Sequence, residues 1–244
     1  MTYLDVTLPA LAANLALDEA LLLEAEDQRQ QPGGPAAEWL RTWEWPAPAV
    51  VLGAAGRPAQ EVHEGACRRD GVPILRRSSG GGTVLLGHGC LCFTLVLAYD
   101  RAPELTEVSS SYRYILGRIA EALAARFPGI EPAGTSDLAR AGRKVSGNSQ
   151  QRKRRHLLHH GTLLYDFDPK PVEDYLPLPP RQPNYRRLRG HDDFLTNLPI
   201  AMEELKRCLR HAWQAEDITS GWPEETVQRL VDEKYSRVEW LRRR

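Results

Sequence analysis

Apolar residues recur at helical spacing over residues 11–26, where Ala12, Leu15, Ala16, Leu22 and Leu23 share one face among strong helix formers. The pattern predicts an amphipathic helix. A second helical pattern covers 109–126: Tyr112, Ile115, Ile119 and Leu123 lie three or four apart, and Pro128-Gly129 stops it. Residues 57–70 suit a helix opened near Pro58, with Arg68 and Arg69 in its last turn. Residues 203–213 and 224–234 read as closing helices. Between them the period drops to two. Residues 39–43 alternate like a strand, 49–53 form a short buried strand ended by glycine, and 73–75 and 91–99 are strands. Short strands are expected at 137–139, 143–146 and 161–167, and a polar Gly/Pro loop at 28–35. Runs of strands broken by a few helices, rather than strict βαβ alternation, predict an α+β fold of mixed or antiparallel sheets flanked by helices. No repeat, heptad or low-complexity tract interrupts it. A length of 244 residues suits a single domain over 1–244.

A hydrophobic content of 42% is enough for a sizeable core. Lys+Arg and Asp+Glu balance at 32 each, so global charge offers no argument for nucleic acid or an anionic membrane. The first residues lack a basic stretch followed by an apolar run, and no apolar stretch approaches a membrane span. These features lead to the expectation of a cytoplasmic chain without membrane or nucleic-acid partners. Of Cys67, Cys90, Cys92 and Cys208, only Cys90 and Cys92 are close, and their one-residue spacer matches neither a zinc nor a redox motif. On a strand they would share a face as small hydrophobes, a reactive thiol being the alternative.

The candidate chemistry gathers in four stretches. In Arg76-Arg77-Ser78-Ser79-Gly80-Gly81-Gly82-Thr83, two fixed cations run into three glycines. Glycines allow positive φ and bare N–H groups near an anion, while arginine offers planar donors for phosphate or carboxylate. A hairpin turn between strands reads equally well. In Gly142-Arg143-Lys144-Val145-Ser146-Gly147-Asn148, a lysine flanked by turn glycines is either a site residue or the basic edge of a sheet. In His159-His160-Gly161-Thr162-Leu163-Leu164 the adjacent histidines face opposite ways, so at most one lines a site. In Gly134-Thr135-Ser136-Asp137-Leu138 the aspartate could hold a metal or cap a turn. The cluster Arg152-Lys153-Arg154-Arg155 lacks interleaved aromatics; it reads as a solvated loop or a docking surface for an acidic partner. Arg242-Arg243-Arg244 reads as a disordered tail.

These stretches in order, with Asn14-Leu15-Ala16-Leu17-Asp18-Glu19 before them, resemble the lipoate–protein ligase A family. The likeness continues through residues 185–198 to Glu233-Lys234-Tyr235 and so covers most of the chain. The resemblance implies a catalytic domain of the biotin/lipoate ligase type. Such enzymes activate lipoate with ATP and Mg2+ to lipoyl-AMP and pass the acyl group to a lysine of a lipoyl carrier domain or a glycine-cleavage H protein. By motif, Lys144 would be the catalytic lysine on the acyl carbonyl and phosphate oxygens. Arg77, Ser79, Gly80, Gly81, Gly82, Thr83, Ser136, Ser146, Gly147, His160 and Gly161 would line the acyl-adenylate pocket, and Asp137 would sit near nucleotide and metal. No Gly-x-x-x-x-Gly-Lys-[Ser/Thr] loop occurs, so any nucleotide must use the other glycine loop.

The sequence departs from the family in three places. Leu86 and Gly87 stand where members often carry His and Asp, with His88 two places on, and the usual glutamine near residues 53–56 is missing. The chain stops without the C-terminal accessory domain of many ligases, which implies a separate accessory protein or acyl transfer alone. An octanoyl or lipoyl transferase of the same superfamily, working through a cysteine thioester, is therefore a second reading; residues 131–136 hold no such cysteine. A third is a non-catalytic lipoate- or nucleotide-binding protein, which Leu86 and Gly87 favour and Lys144 opposes.

Overall fold

The computed structural model describes residues 1–30 and 37–243. Its eleven strands are β1 (Thr2–Asp5), β2 (Trp39–Glu44), β3 (Ala49–Leu52), β4 (Ile74–Arg76), β5 (Val84–Leu86), β6 (Cys90–Ala98), β7 (Ile130–Ala133), β8 (Asp137–Arg140), β9 (Arg143–Arg152), β10 (His156–Leu164) and β11 (Asp217–Thr219). The helices are α1 (Leu11–Gln30), α2 (Pro58–Glu61), α3 (Glu64–Asp70), α4 (Val108–Ala124), α5 (Val172–Tyr175), α6 (His191–Phe194), α7 (Met202–Trp213), α8 (Glu224–Leu230) and α9 (Val238–Arg242), with a π-helical turn at Val231–Tyr235. The α+β expectation holds.

Strand β6 organises the molecule. All nine of its residues are buried, which requires cover on both faces. Cys90, Cys92 and Val96 face a layer built from α1, β3, β5, α5 and α8. Leu91, Phe93, Leu95 and Leu97 face α4 and α7. The strands run β11-β1-β2-β6-β10-β9-β8-β7 in one sheet, and β4-β3-β5 form a second, smaller sheet. Pairing is antiparallel from β2 to β7, with β1 parallel to both its neighbours.

Two structural differences from the sequence reading bear on the site. Helix α1 extends to Gln30 and is buried on most sides rather than amphipathic, since sheet and C-terminal helices enclose it. Its polar residues Asn14, Asp18, Glu19 and Glu26 are therefore internal and partnered. Asn14 and Asp18 bond Arg41, Glu19 bonds Lys234 and Tyr235, and Glu26 bonds the His156 ring. Of the loop expected at 28–35, residues 28–30 are helical and 31–35 lie outside the described residues. The expected tail at 242–244 is instead tied down through residue 243. Arg242 pairs with Glu64 at 2.7 Å, Arg243 lies over Trp240, and Arg76 donates to the Leu241 carbonyl at 2.7 Å; Arg244 lies outside the described residues.

The helix expected at 57–70 breaks into α2 and α3 at residues 62 and 63. The strands after residue 136 are longer than their sequence pattern, because β9 and β10 form one hairpin whose turn is residues 153–155 of the basic cluster. Among the described residues no helix is long and apolar enough to cross a membrane.

Candidate active site

A cleft of about 520 Å³ opens between the two sheets, lined on one side by the glycine loop and β5 and on the other by β8, β9 and β10. Its walls include Arg77, Gly81, Gly82, Thr83, Ser136, Asp137, Lys144, Ser146, Gly147, His160 and Gly161; of the other two loop residues, Ser79 is buried against His160 and Gly80 is exposed outside the lining. Distant motifs thus converge.

The glycine loop is not a hairpin. β4 and β5 do not pair with each other; both pair with β3, one parallel and one antiparallel, so residues 77–83 cross over the end of β3. Only Gly81 needs a positive φ, 84°, whereas a Cβ at Gly80 or Gly82 would meet open space. The loop rests on Gly53, where a Cβ would lie 2.0 Å from the Gly81 carbonyl oxygen. A Gly53→Ala substitution must therefore push the loop outward. It is expected to cost about 1–3 kcal/mol in thermal or denaturant melts, whereas Gly80→Ala leaves stability unchanged.

The two arginines do not serve as free anion donors. The buried Arg77 guanidinium is spent on the loop itself, donating to the carbonyls of Gly80 (2.6 Å), Gly82 (2.8 Å) and Val51 (3.2 Å) and to Ser79 Oγ (3.0 Å). Burial pushes its pKa down to about 10. Arg76 holds the carbonyls of Gly53 and Gly56, each at 2.8 Å, and the C-terminal segment. With the carbonyls drawn inward, the amides of Gly80, Gly81 and Gly82 donate to no acceptor among the described residues. These backbone N–H groups keep their capacity to donate, and the arginines shape the loop that carries them.

Lys144 is not on an open edge either: β8 pairs with it on one side, and on the other Leu195 bridges it and the Thr196 amide donates to its carbonyl at 2.9 Å. The register of β8 against β9 shifts so that Val145 has no partner between Lys144 and Ser146, a bulge of the kind that re-aims side chains. The Lys144 side chain runs back across Gly147, where a Cβ would lie 2.6 Å from Nζ, and reaches Asp137 Oδ1 at 2.8 Å. Tyr185 donates to the other Asp137 oxygen at 2.8 Å. Burial, then the Asp137 carboxylate, push the Tyr185 hydroxyl pKa up, so it stays protonated.

The histidines separate as expected. His159 faces α4, stacked on Phe93 and edge-on to Tyr112, with Nε2 donating to Asn148 Oδ1 at 3.2 Å. Burial, helped by His160, depresses its pKa to about 3 and keeps it neutral. His160 faces the cleft, its Nδ1 3.2 Å from Asp18 Oδ2 and its Nε2 hydrogen-bonded to Ser79 Oγ. Asp18 in turn accepts from Arg41 at 2.6 Å. A buried polar chain therefore runs from β2 through α1 to the glycine loop. Asp18 and Arg41 carry no sequence signal for this role, because their partners lie 23 or more residues away.

Further along the same face the lining turns apolar. Thr94 pairs with His160, and Cys90 pairs with Leu164 four residues on, about 13 Å along the strand. Trp43, Leu86, Phe167 and Leu176 complete that end. Leu86 thus belongs to the apolar wall, and Gly87 packs on Phe167. His88 does not replace the missing polar groups, being outside the lining, two-thirds exposed and beside Glu44 and Asp166. Cys90 and burial together raise the Cys92 thiol well above its ordinary pKa, and all four cysteines are free. Among the described residues no group of three or more His, Cys, Asp or Glu side chains gathers for a metal.

Residues 10–218 match the profile of the lipoyl protein ligase A/B catalytic domain. Among solved structures, a bipartite lipoate protein ligase from Thermoplasma acidophilum, studied with its E2 lipoyl domain, superposes at a TM-score of 0.79 and 21% identity. The match covers 99% of this chain and 95% of that one. A lipoate-protein ligase A bound with ATP gives 0.76 at 20% identity over 99% of each chain. P. falciparum LipL1 in complex with lipoate gives 0.74 at 19%, over 100% of this chain and 74% of its own. At these identities the likeness establishes a shared fold.

Proposed function

The chain belongs to the lipoyl protein ligase A/B catalytic domain family, and on that premise we propose that it is a lipoate–protein ligase. The lipoate carboxylate attacks the α-phosphate of ATP, pyrophosphate leaves, and the acyl group of lipoyl-AMP passes to a carrier lysine with release of AMP. One observation carries this reading: Lys144, seated over Gly147 beside Asp137, shares a cleft with the free amides of the glycine loop, and the cleft ends in an apolar pocket. A carboxylate head bound near Lys144 would leave its acyl tail along β10 toward Leu164 and Phe167.

The division of labour follows from charge. Both steps build negative charge on oxygen, first at phosphorus and then at the acyl carbonyl. The loop amides and Lys144 Nζ are preorganised donors for it, most effective where bound substrate excludes water. Asp137 holds the lysine extended until substrate competes for it. One carboxylate plus substrate phosphates is an ordinary donor set for Mg2+, so Asp137 is the residue that would hold it. Bound Mg2+ would neutralise phosphate charge. The carrier would be a lipoyl domain or a glycine-cleavage H-like protein, with a separate accessory-domain protein as a further partner.

The test is to incubate the protein with lipoate, MgATP and an unmodified lipoyl domain, with and without an accessory protein, and to weigh the domain. A mass gain of one lipoyl group that requires ATP supports the ligase. Modification from an octanoyl-carrier donor without ATP sinks it in favour of a transferase.

A further inference from the structure

We propose that the turn at residues 186–189, beside the mouth of the cleft, is the docking surface for the acyl acceptor, a carrier protein with an acidic face and an apolar dimple near its acceptor lysine; this rests on the acyl-transfer reading above. Arg187 and Leu188 both have left-handed backbones, φ 53° and 61°, where glycine or asparagine is the usual choice. Leu188 is 79% exposed, the most exposed of the large hydrophobic residues.

The turn is held firmly in this unfavourable shape. Arg186 Nε donates to the Arg189 carbonyl and Arg189 Nε to the Arg186 carbonyl, each at 2.9 Å. Arg189 also grips the carbonyls of Tyr185 and Gly142, and both guanidinium groups lie over the Phe194 ring. A rigid, strained turn that leaves leucine in water gains nothing for the free chain. Covering that leucine with a partner is what gives the arrangement a return.

Charge and position name the partner. Arg143, Arg181 and Arg187 are exposed around the turn and on the adjoining β8–β9 hairpin, and Arg186 and Arg189 lie within it; Asp192 and Asp193 on α6 and Glu173 on α5, which accepts from the His191 amide, offset three of these five charges. Tyr185, three residues before Leu188, holds the carboxylate that holds Lys144. A carrier seated here therefore has its acceptor amine near the acyl group. The other basic patch, at 152–155, lies at the opposite end of the ten-residue β9, about 30 Å from Lys144. Arginines of both patches donate to carbonyls, Arg152 and Arg155 there and Arg143 here, so distance from Lys144 is what separates them.

The experiment measures binding of an unmodified lipoyl domain to the full chain by calorimetry at low and high salt. Leu188→Asn suits the left-handed backbone and is expected to leave the melting temperature no lower while weakening binding at least about fivefold. Arg187→Glu weakens it similarly, by a factor that shrinks with salt. Arg154→Glu, at the distant patch, changes nothing. The proposal is overturned if the wild type does not bind the domain, if both 187 and 188 variants bind like wild type, or if Arg154→Glu weakens binding as much. Lipoate-dependent exchange of pyrophosphate into ATP, run without carrier, reads the ligase reaction separately. Its loss with docking intact would defeat only the functional reading.

Discussion

Replacing Lys144 by methionine is expected to leave the protein folded and to slow acyl transfer by about 10²–10³-fold, the cost of removing one preorganised donor from a developing oxyanion. That corresponds to about 2.7–4 kcal/mol of barrier. Methionine keeps the stem that crosses Gly147 and removes only the charge, so the contacts along β9 survive. Asp137 retains Tyr185 as a donor. The measurement is single-turnover transfer from chemically prepared lipoyl-AMP to an unmodified lipoyl domain, with circular dichroism as the check on folding. Supplying the adenylate isolates the second step. If that step runs at the wild-type rate, Lys144 acts in activation alone or in neither step, and its proposed place on the acyl carbonyl is lost.

Replacing Arg41 by methionine is expected to destabilise the fold by about 3–5 kcal/mol, because it leaves the Asp18 carboxylate buried without its cation. For a domain of this size that lowers the melting temperature by roughly 6–20 °C. Asp18→Asn added to Arg41→Met recovers part of the loss, since most of the cost is the unpaired charge rather than the missing guanidinium. The pH dependence has a definite sign. Burial alone would raise the Asp18 carboxyl, but Arg41 and then His160 outweigh it and hold the carboxyl below the ordinary 3.8. In the wild type this contribution is present above about pH 4 and fades as the pH falls through the lowered value. Without Arg41 burial regains its weight and raises the group, so the variant's deficit grows with rising pH above about 4 and narrows on acidification. Melts at several pH values check this, and parallel curves for the two proteins would refute the account. Activity falls as well, because the Arg41–Asp18–His160–Ser79 chain anchors the glycine loop from behind.

Much of this architecture was legible in the chain. The spacing of Tyr112, Ile115, Ile119 and Leu123 marked α4, whose inner face they form. The period of two in His159-His160 placed one ring on each face of β10, and Cys90 and Cys92 share a face as small buried groups. Local patterns of this kind survive because they depend on bond geometry within a few residues. The basic cluster is the exposed loop its composition suggested, but the length of β9 and β10 was hidden for the opposite reason. Polar residues such as Asn148, Ser149 and Gln150 look like loop until β10 pairs with them.

The Arg-Arg-Ser-Ser-Gly-Gly-Gly stretch draws the line between the two. By itself the sequence determined that charge and backbone freedom meet at one place, that Lys144 and His160 stand in compatible motifs, and that the chain is an α+β domain. Only the tertiary structure decided that β4 and β5 flank β3, so that the loop is no hairpin, and that Arg77 turns inward to its carbonyls while the amides stay free. It also decided that Asp18, 142 residues from His160, holds the cleft histidine. The physical reason is the same throughout. A hydrogen bond is a few ångströms long and takes no account of separation along the chain, so partners that determine what a charged side chain does become visible only when the strands are in register.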